Sequence, residues 1–212
     1  MNVSYPYAFT SVLPRFIAPM NATAVRELPE GNVWTYEANL NGYRCLASTR
    51  DGEVTLWSCR GQFLNARFPE IVRACEKLPV ETVIDGEIIL VDESGKLAPK
   101  MSHAPYAAAS VEYYVYDILV LRGRSLLSAR LEARRSQLCD TLYKVNYPVI
   151  RSQSFTARPA DLIRAAKELH VDGIIAKHKG SAYEPGTRSR SWLKYKLPSQ
   201  AMVTERRCRP VG

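Results

Sequence analysis

Alternation of apolar and polar positions marks out most of the chain as strands. Val33–Leu40 is a short apolar and aromatic run that leads into polar positions, and Arg44–Ser48 follows it as a hairpin partner or a continuation. Asp51-Gly52 is a tight-turn dipeptide. It feeds Val54–Ser58, where Val54, Leu56 and Ser58 alternate with Thr55 and Trp57. Val83–Val91 and Val111–Leu121 are longer strands, the second ending at an Arg122-Gly123-Arg124 turn. Period-two spacing puts Tyr114, Tyr116 and Ile118 on one face of it.

Three stretches have helical spacing instead. Pro69–Leu78 starts with proline, where a missing N–H costs little, and gathers Ile71, Cys75 and Leu78 on one face. Leu131–Leu142 buries Leu131, Leu138 and Leu142 and leaves Arg134 and Arg135 to solvent. Ala160–His170 turns Leu162, Ile163, Ala166 and Leu169 to the core, with His170 as a structural residue suited to the last turn. Residues 1–31, with Pro6, Pro14, Pro19, Pro29 and Gly31, read as an irregular lead-in holding one short helix around Ala22–Leu28. Residues 92–110 read as a connection that turns at Asp92–Gly95.

Composition narrows the class. The 212 residues suit one large domain with a substantial core, and 46% hydrophobic with 24% charged residues is ordinary for a globular protein. The net charge of +8, with 20 arginines against 9 lysines, fits a phosphate-rich partner, although a merely basic protein would look the same. Cys45, Cys59, Cys75, Cys139 and Cys208 are widely spaced with no C-x-x-C pair, so neither a zinc site nor a disulfide framework is indicated. No apolar run reaches the roughly 18 residues of a membrane span, and the N-terminus lacks a signal-peptide layout. The expectation is a monomeric protein of the reducing cytoplasm, away from membranes.

Chemistry concentrates in a few places. Asp85 and Glu87 share one face of an otherwise apolar strand, and burying them calls for a sugar, a metal or a basic side chain nearby. A structural salt bridge would serve as well. Lys194 and Lys196 alternate along one strand face and can converge on one phosphate. Arg60, in the turn Ser58-Cys59-Arg60-Gly61, is either a phosphate contact or an ordinary exposed arginine. Tyr116 is either core or a base platform.

Five blocks, in order, resemble the covalent nucleotidyltransferase superfamily of DNA ligases, RNA ligases and capping enzymes. Its first motif reads Glu-x-Lys-x-Asp-Gly-x-Arg, and the chain keeps Glu37, Gly42 and Arg44. The others are Asp85-Gly86-Glu87, Tyr116-Asp117, Asp172-Gly173-Ile174-Ile175-Ala176-Lys177 and Ser189-Arg190-Ser191-Trp192-Leu193-Lys194-Tyr195-Lys196. The last is the most specific and is similar to bacterial ATP-dependent DNA ligases of the end-joining type.

The resemblance implies an α+β, ATP-grasp-like adenylation domain of two antiparallel sheets flanked by helices over residues 32–197. It also implies ATP and Mg2+ as cofactors and nicked double-stranded DNA as partner. By the same resemblance Glu37, Arg60, Glu87, Tyr116, Lys177, Lys194 and Lys196 bind ATP. Glu87 and Asp172 face the metal, and Arg188 and Arg190 face DNA.

Two departures fall on the positions that matter most. Asn39 stands where the nucleophilic lysine belongs and Asn41 where the aspartate belongs, with Arg44 retained beside them. An amide nitrogen delocalises its lone pair into the carbonyl and cannot attack phosphorus as a lysine amine does. The nearest lysines in sequence, Lys77 and Lys96, are far away. Asp172 is one methylene shorter than the family's glutamate. After Lys196 only Leu197–Gly212 follow, a short basic tail too brief for the oligonucleotide-binding barrel of the family, so no such fold is expected. The functional expectation is a DNA-ligase adenylation domain that has lost self-adenylation. The alternatives are a non-catalytic nucleotide- or nick-binding module, and an RNA-ligating or capping relative.

Overall fold

The run from Asn21 to Val25 does not enter the short helix expected around Ala22–Leu28. In the computed structural model, which describes residues 16–40, 42–93, 110–169 and 171–197, it is strand β1 (Asn21–Val25), parallel to a strand near the other end of the chain. The Thr23 hydroxyl donates to the Ser189 carbonyl at 2.8 Å. This long-range pairing outweighs a weak local preference for helix.

The elements then run β2 (Trp34–Asn39), β3 (Tyr43–Arg50), β4 (Glu53–Ser58), α1 (Pro69–Cys75), β5 (Thr82–Val91) and β6 (Ser110–Leu121). They continue with β7 (Arg124–Ser125), α2 (Leu131–Leu142), β8 (Val149–Arg151), α3 (Pro159–Glu168), β9 (Gly173–His178) and β10 (Arg188–Lys196). One sheet has the order β1-β10-β9-β2. The other has β4-β3-β5-β6-β7, with β8 also paired to β6. Both are mainly antiparallel, with one parallel pairing each, β1 with β10 and β6 with β8.

The sequence expectation that the strand beginning at Arg44 is a hairpin partner or a continuation of the one before it is corrected on both counts. β2 pairs with β9 in the first sheet, while β3 pairs with β4 and β5 in the second. The chain crosses between sheets at Gly42, where a Cβ would run into the Ile88 carbonyl and the Ile89 side chain, so only glycine fits. The Asp51-Gly52 hairpin forms as expected, both residues having positive φ.

Four layers result. α3 covers the outer face of the first sheet through Leu162, Ile163 and Ala166. Met20, Leu46, Val83, Leu119, Leu131, Tyr183 and Trp192 fill part of the space between the sheets. α1 and α2 cover the outer face of the second sheet through Ile71, Cys75, Leu138 and Leu142.

Three further expectations change. Ile118 does not share a face with Tyr114 and Tyr116, because β6 carries extra residues at Tyr116 and Leu119 relative to β5. Such bulges shift the period-two pattern, and Ile118 joins Tyr113 and Val115 in the outer core. Leu169 lies past the end of α3 and is 73% exposed. Arg134 and Arg135 are buried rather than solvated. Asn41, the 94–109 part of the expected connection, His170 and the tail 198–212 lie outside the described residues. No helix among the described residues is long and apolar enough to cross a membrane.

Candidate active site

The register of the first sheet builds one wall of a cavity. Thr35 pairs with Lys177, which pairs with Trp192. Glu37 pairs with Ile175, which pairs with Lys194. Asn39 pairs with Gly173, which pairs with Lys196. Directly paired residues project to the same side of a sheet, so these three rows face the second sheet. From there Arg44 of β3, Glu87 of β5, and Tyr114 and Tyr116 of β6 complete a cavity of about 270 Å³, with Asn21, Ala22 and Arg188 at its edge.

Each charge in this space has a defined setting. Glu37, 3% exposed, accepts from Arg135 Nη1 at 2.7 Å and from Lys177 Nζ at 2.9 Å. Lys177 Nζ also lies 4.0 Å from the Tyr116 ring centroid and 4.3 Å from that of Trp192. Burial lowers the Lys177 pKa from its ordinary value, and the charge of Glu37 works against that shift. Asp85 and Glu87, on one strand face as expected, divide the two roles open to them. Asp85 is fully buried in a salt bridge with Arg44, Nε–Oδ1 2.6 Å, and accepts from the Tyr183 hydroxyl at 2.7 Å. Glu87 lines the cavity, and burial pushes its carboxyl above the ordinary range despite Arg44 and Lys194 nearby.

Of the residues singled out from sequence, Glu37, Asn39, Arg44, Glu87, Tyr116, Lys177, Arg188 and Lys194 come together around the cavity. Four stand outside its lining. Arg60 lies exposed in the turn after β4, where the Gly61 amide closes onto the Ser58 carbonyl at 3.0 Å. Asp172 is exposed just ahead of β9, Lys196 is exposed at the end of β10, and Arg190 is exposed within β10.

Sequence reasoning passed over Ser152, gave Trp192 a place in the last motif but no role in the site, and left the two arginines of α2 to solvent. Arg134 holds Asp117 through Nε and Nη2 at 2.8 and 2.9 Å, both side chains fully buried. Arg135 holds Glu37. A signal was present: Leu131, Arg134, Arg135, Leu138 and Leu142 share the spacing of one helix face, so the arginines occupy core positions opposite buried carboxylates.

The chemistry of the lining suits an anionic, ring-bearing ligand. Lys194 and Arg188 reach the cavity with no carboxylate salt-bridge partner among the described residues. The Trp192 indole N–H is buried with no hydrogen-bond partner among the described residues. Asn39 is 6% exposed and presents a carboxamide to the same space.

Comparison with known proteins agrees with this layout. The model of the ATP dependent DNA ligase domain matches residues 17–196. The chain is 32% identical over 189 residues to the multifunctional non-homologous end joining protein LigD of Pseudomonas aeruginosa, covering 87% of this chain and 22% of that protein. It is 29% identical over 196 residues to DNA ligase C1 of Mycolicibacterium smegmatis, covering 84% of this chain and 56% of that one.

Among solved structures, a mycobacterial DNA ligase D complexed with ATP and MES superposes with a TM-score of 0.72 at 31% identity, covering 85% of this chain and 60% of that one. The ligase domain of M. tuberculosis LigD gives 0.74 at 28% identity, with the same coverage. The chain thus spans about a fifth of the LigD protein and three-fifths of the ligase-domain structures. It belongs to the ATP-dependent DNA ligase family, as an adenylation domain of the end-joining type.

Proposed function

We propose that the cavity between the two sheets binds ATP or an adenylate, that the basic face beside it receives nicked double-stranded DNA, and that the chain does not adenylate itself. The observation that carries this reading is the position of Asn39. It sits on the cavity wall, in the row next to Glu37 and Lys194, where the family motif has its nucleophilic lysine.

The phosphates of a nucleotide meet Lys194 and Arg188 there. Glu87 is the cavity carboxylate with no salt bridge to a described residue, and it would hold Mg2+, an ion that keeps several water and phosphate ligands and needs only one or two carboxylates. Asp172, exposed outside the lining, would reach such an ion only through water. When bound, the ion neutralises charge on the phosphate oxygens.

Without an amine at position 39, the step open to this chain is the sealing of a nick that already carries a 5′-adenylate. The 3′-hydroxyl oxygen bonds to the 5′-phosphorus, the bond to the AMP phosphate breaks, and the hydroxyl proton leaves to solvent. Lys194 and Arg188 stabilise the charge on the departing AMP. A second reading rests on the same residue: a site without its nucleophile can serve as a binding module alone.

The test is incubation with α-labelled ATP and Mg2+ followed by a denaturing gel. The expected result is no covalent label on the native chain and label on Asn39→Lys or Asn39→Lys/Asn41→Asp. Label on the native chain overturns the reading. Sealing of a pre-adenylated nick favours the ligase reading, and salt-dependent nick binding without sealing favours the binding module.

A further inference from the structure

Three of the cavity-lining residues, Glu37, Tyr116 and Ser152, come from separate segments: β2, β6 and the residue after β8. One side chain behind the wall holds all three. Arg135 donates from Nη1 to Glu37 Oε1 at 2.7 Å and to the Tyr116 carbonyl at 3.1 Å, and from Nη2 to the Ser152 carbonyl at 2.7 Å. It is not part of the cavity lining, and its side chain is 10% exposed. A guanidinium presents its donors in a fixed planar fork, so these acceptors are set relative to one another by one rigid group belonging to α2.

The effect on Glu37 is specific. A carboxylate has about four lone-pair sites and no donor. Arg135 takes one on Oε1. Lys177 at 2.9 Å and the Ser152 hydroxyl at 3.4 Å take those on Oε2. The site left over belongs to Oε1 of a residue that lines the cavity. A fixed acceptor of this kind favours a base edge that carries an exocyclic amine and disfavours one that carries a carbonyl oxygen. Adenine presents N6–H2 where guanine presents O6. A carboxylate free to swing loses that discrimination, because it can also meet the donors of guanine.

We propose that Arg135 is a positioning residue that sets the base preference of the cavity for adenine over guanine by fixing Glu37 against Tyr116 and Ser152. This rests on the nucleotide-binding reading above. Arg134, the next residue on the same helix, bonds Asp117 and the Ala129 and Ser181 carbonyls, none of which lines the cavity. It therefore provides an internal control for structural damage.

The experiment is equilibrium titration of the full chain with ATP and with GTP, alongside thermal unfolding. The native chain is expected to prefer ATP. Arg135→Met lowers the ATP-over-GTP ratio by about tenfold or more, the scale of one charge-assisted hydrogen bond. Arg135→Lys, which keeps the charge but cannot span three acceptors, retains only part of the preference. Arg134→Met lowers stability and keeps the ratio.

Glu37→Met, which removes the acceptor itself and does not depend on Arg135→Met folding, loses the preference as well. An unchanged ratio in folded Arg135→Met, or a native ratio in folded Glu37→Met, overturns the assignment while leaving nucleotide binding intact. A native chain that binds neither ATP nor GTP removes the underlying site and this inference with it.

Discussion

At Glu87, burial raises the carboxyl above its ordinary range, with Arg44 and Lys194 opposing the shift. A carboxyl whose folded pKa exceeds its unfolded one costs stability when ionised, and that cost disappears as pH falls through the folded value toward the unfolded value of about 4.3. Glu87→Gln is therefore expected to melt higher than the native chain at neutral pH, with the gap closing on acidification. Thermal unfolding of both proteins across that range checks it. The Lys194 side chain makes no salt bridge to a described residue and acts on Glu87 only through its charge, so Lys194→Met should lower the melting temperature only slightly. It should weaken ATP binding by about tenfold, as expected for one charged contact; an unaltered dissociation constant would place the phosphates elsewhere. Glu37, Asn39 and Lys194 could be read from sequence because each sits in a contiguous motif on a strand. Arg134 and Arg135 could not be read by residue type, since arginine usually faces water, and the one signal present, their helical spacing with the leucines, was set aside in favour of a solvated face.

Among the elements, α2 contributes more than cover. Its Arg134–Asp117 pair is fully buried, and removing one partner from such a pair costs about 3–5 kcal/mol. Arg134→Met should lose stability on that scale in denaturant unfolding. Arg134→Met/Asp117→Leu should recover part of it, because the Ala129 and Ser181 carbonyls still lose their donors. In β9, a Cβ on Gly173 would strike the Tyr195 carbonyl oxygen of β10. Gly173→Ala is expected to cost about 1–3 kcal/mol through the forced shift and to weaken nucleotide binding, because Asn39 and Lys196 flank that position. Strands β2, β4, β5 and β6 and the three helices were legible because their patterns are local. β1 was not, since its partner lies far along the chain, with Asn21 opposite Arg188. The two bulges of β6 were equally hidden, because a period-two reading assumes that no residue is inserted.

For the molecule as a whole, the charge of +8 predicts nick binding that weakens steeply with salt. Arg190→Ala, which removes an exposed cation of β10, should reduce the slope of log affinity against log salt by about one. A slope unchanged from native would place the DNA on another face. The first sheet has a consequence for how the chain is made. It joins β1 and β2, near the start of the described chain, to β9 and β10, near its end. Strands β3 to β6, with the helices that cover them, form a nearly continuous stretch and can settle while synthesis continues. β1 and β2 leave the ribosome early and lack their partners in the sheet until the last two strands emerge. Glu37 then meets Lys177, and both walls of the cavity exist for the first time. An incomplete nascent chain carries Glu37, Arg44 and Glu87 without any site, and the cavity appears only when translation has passed Lys194.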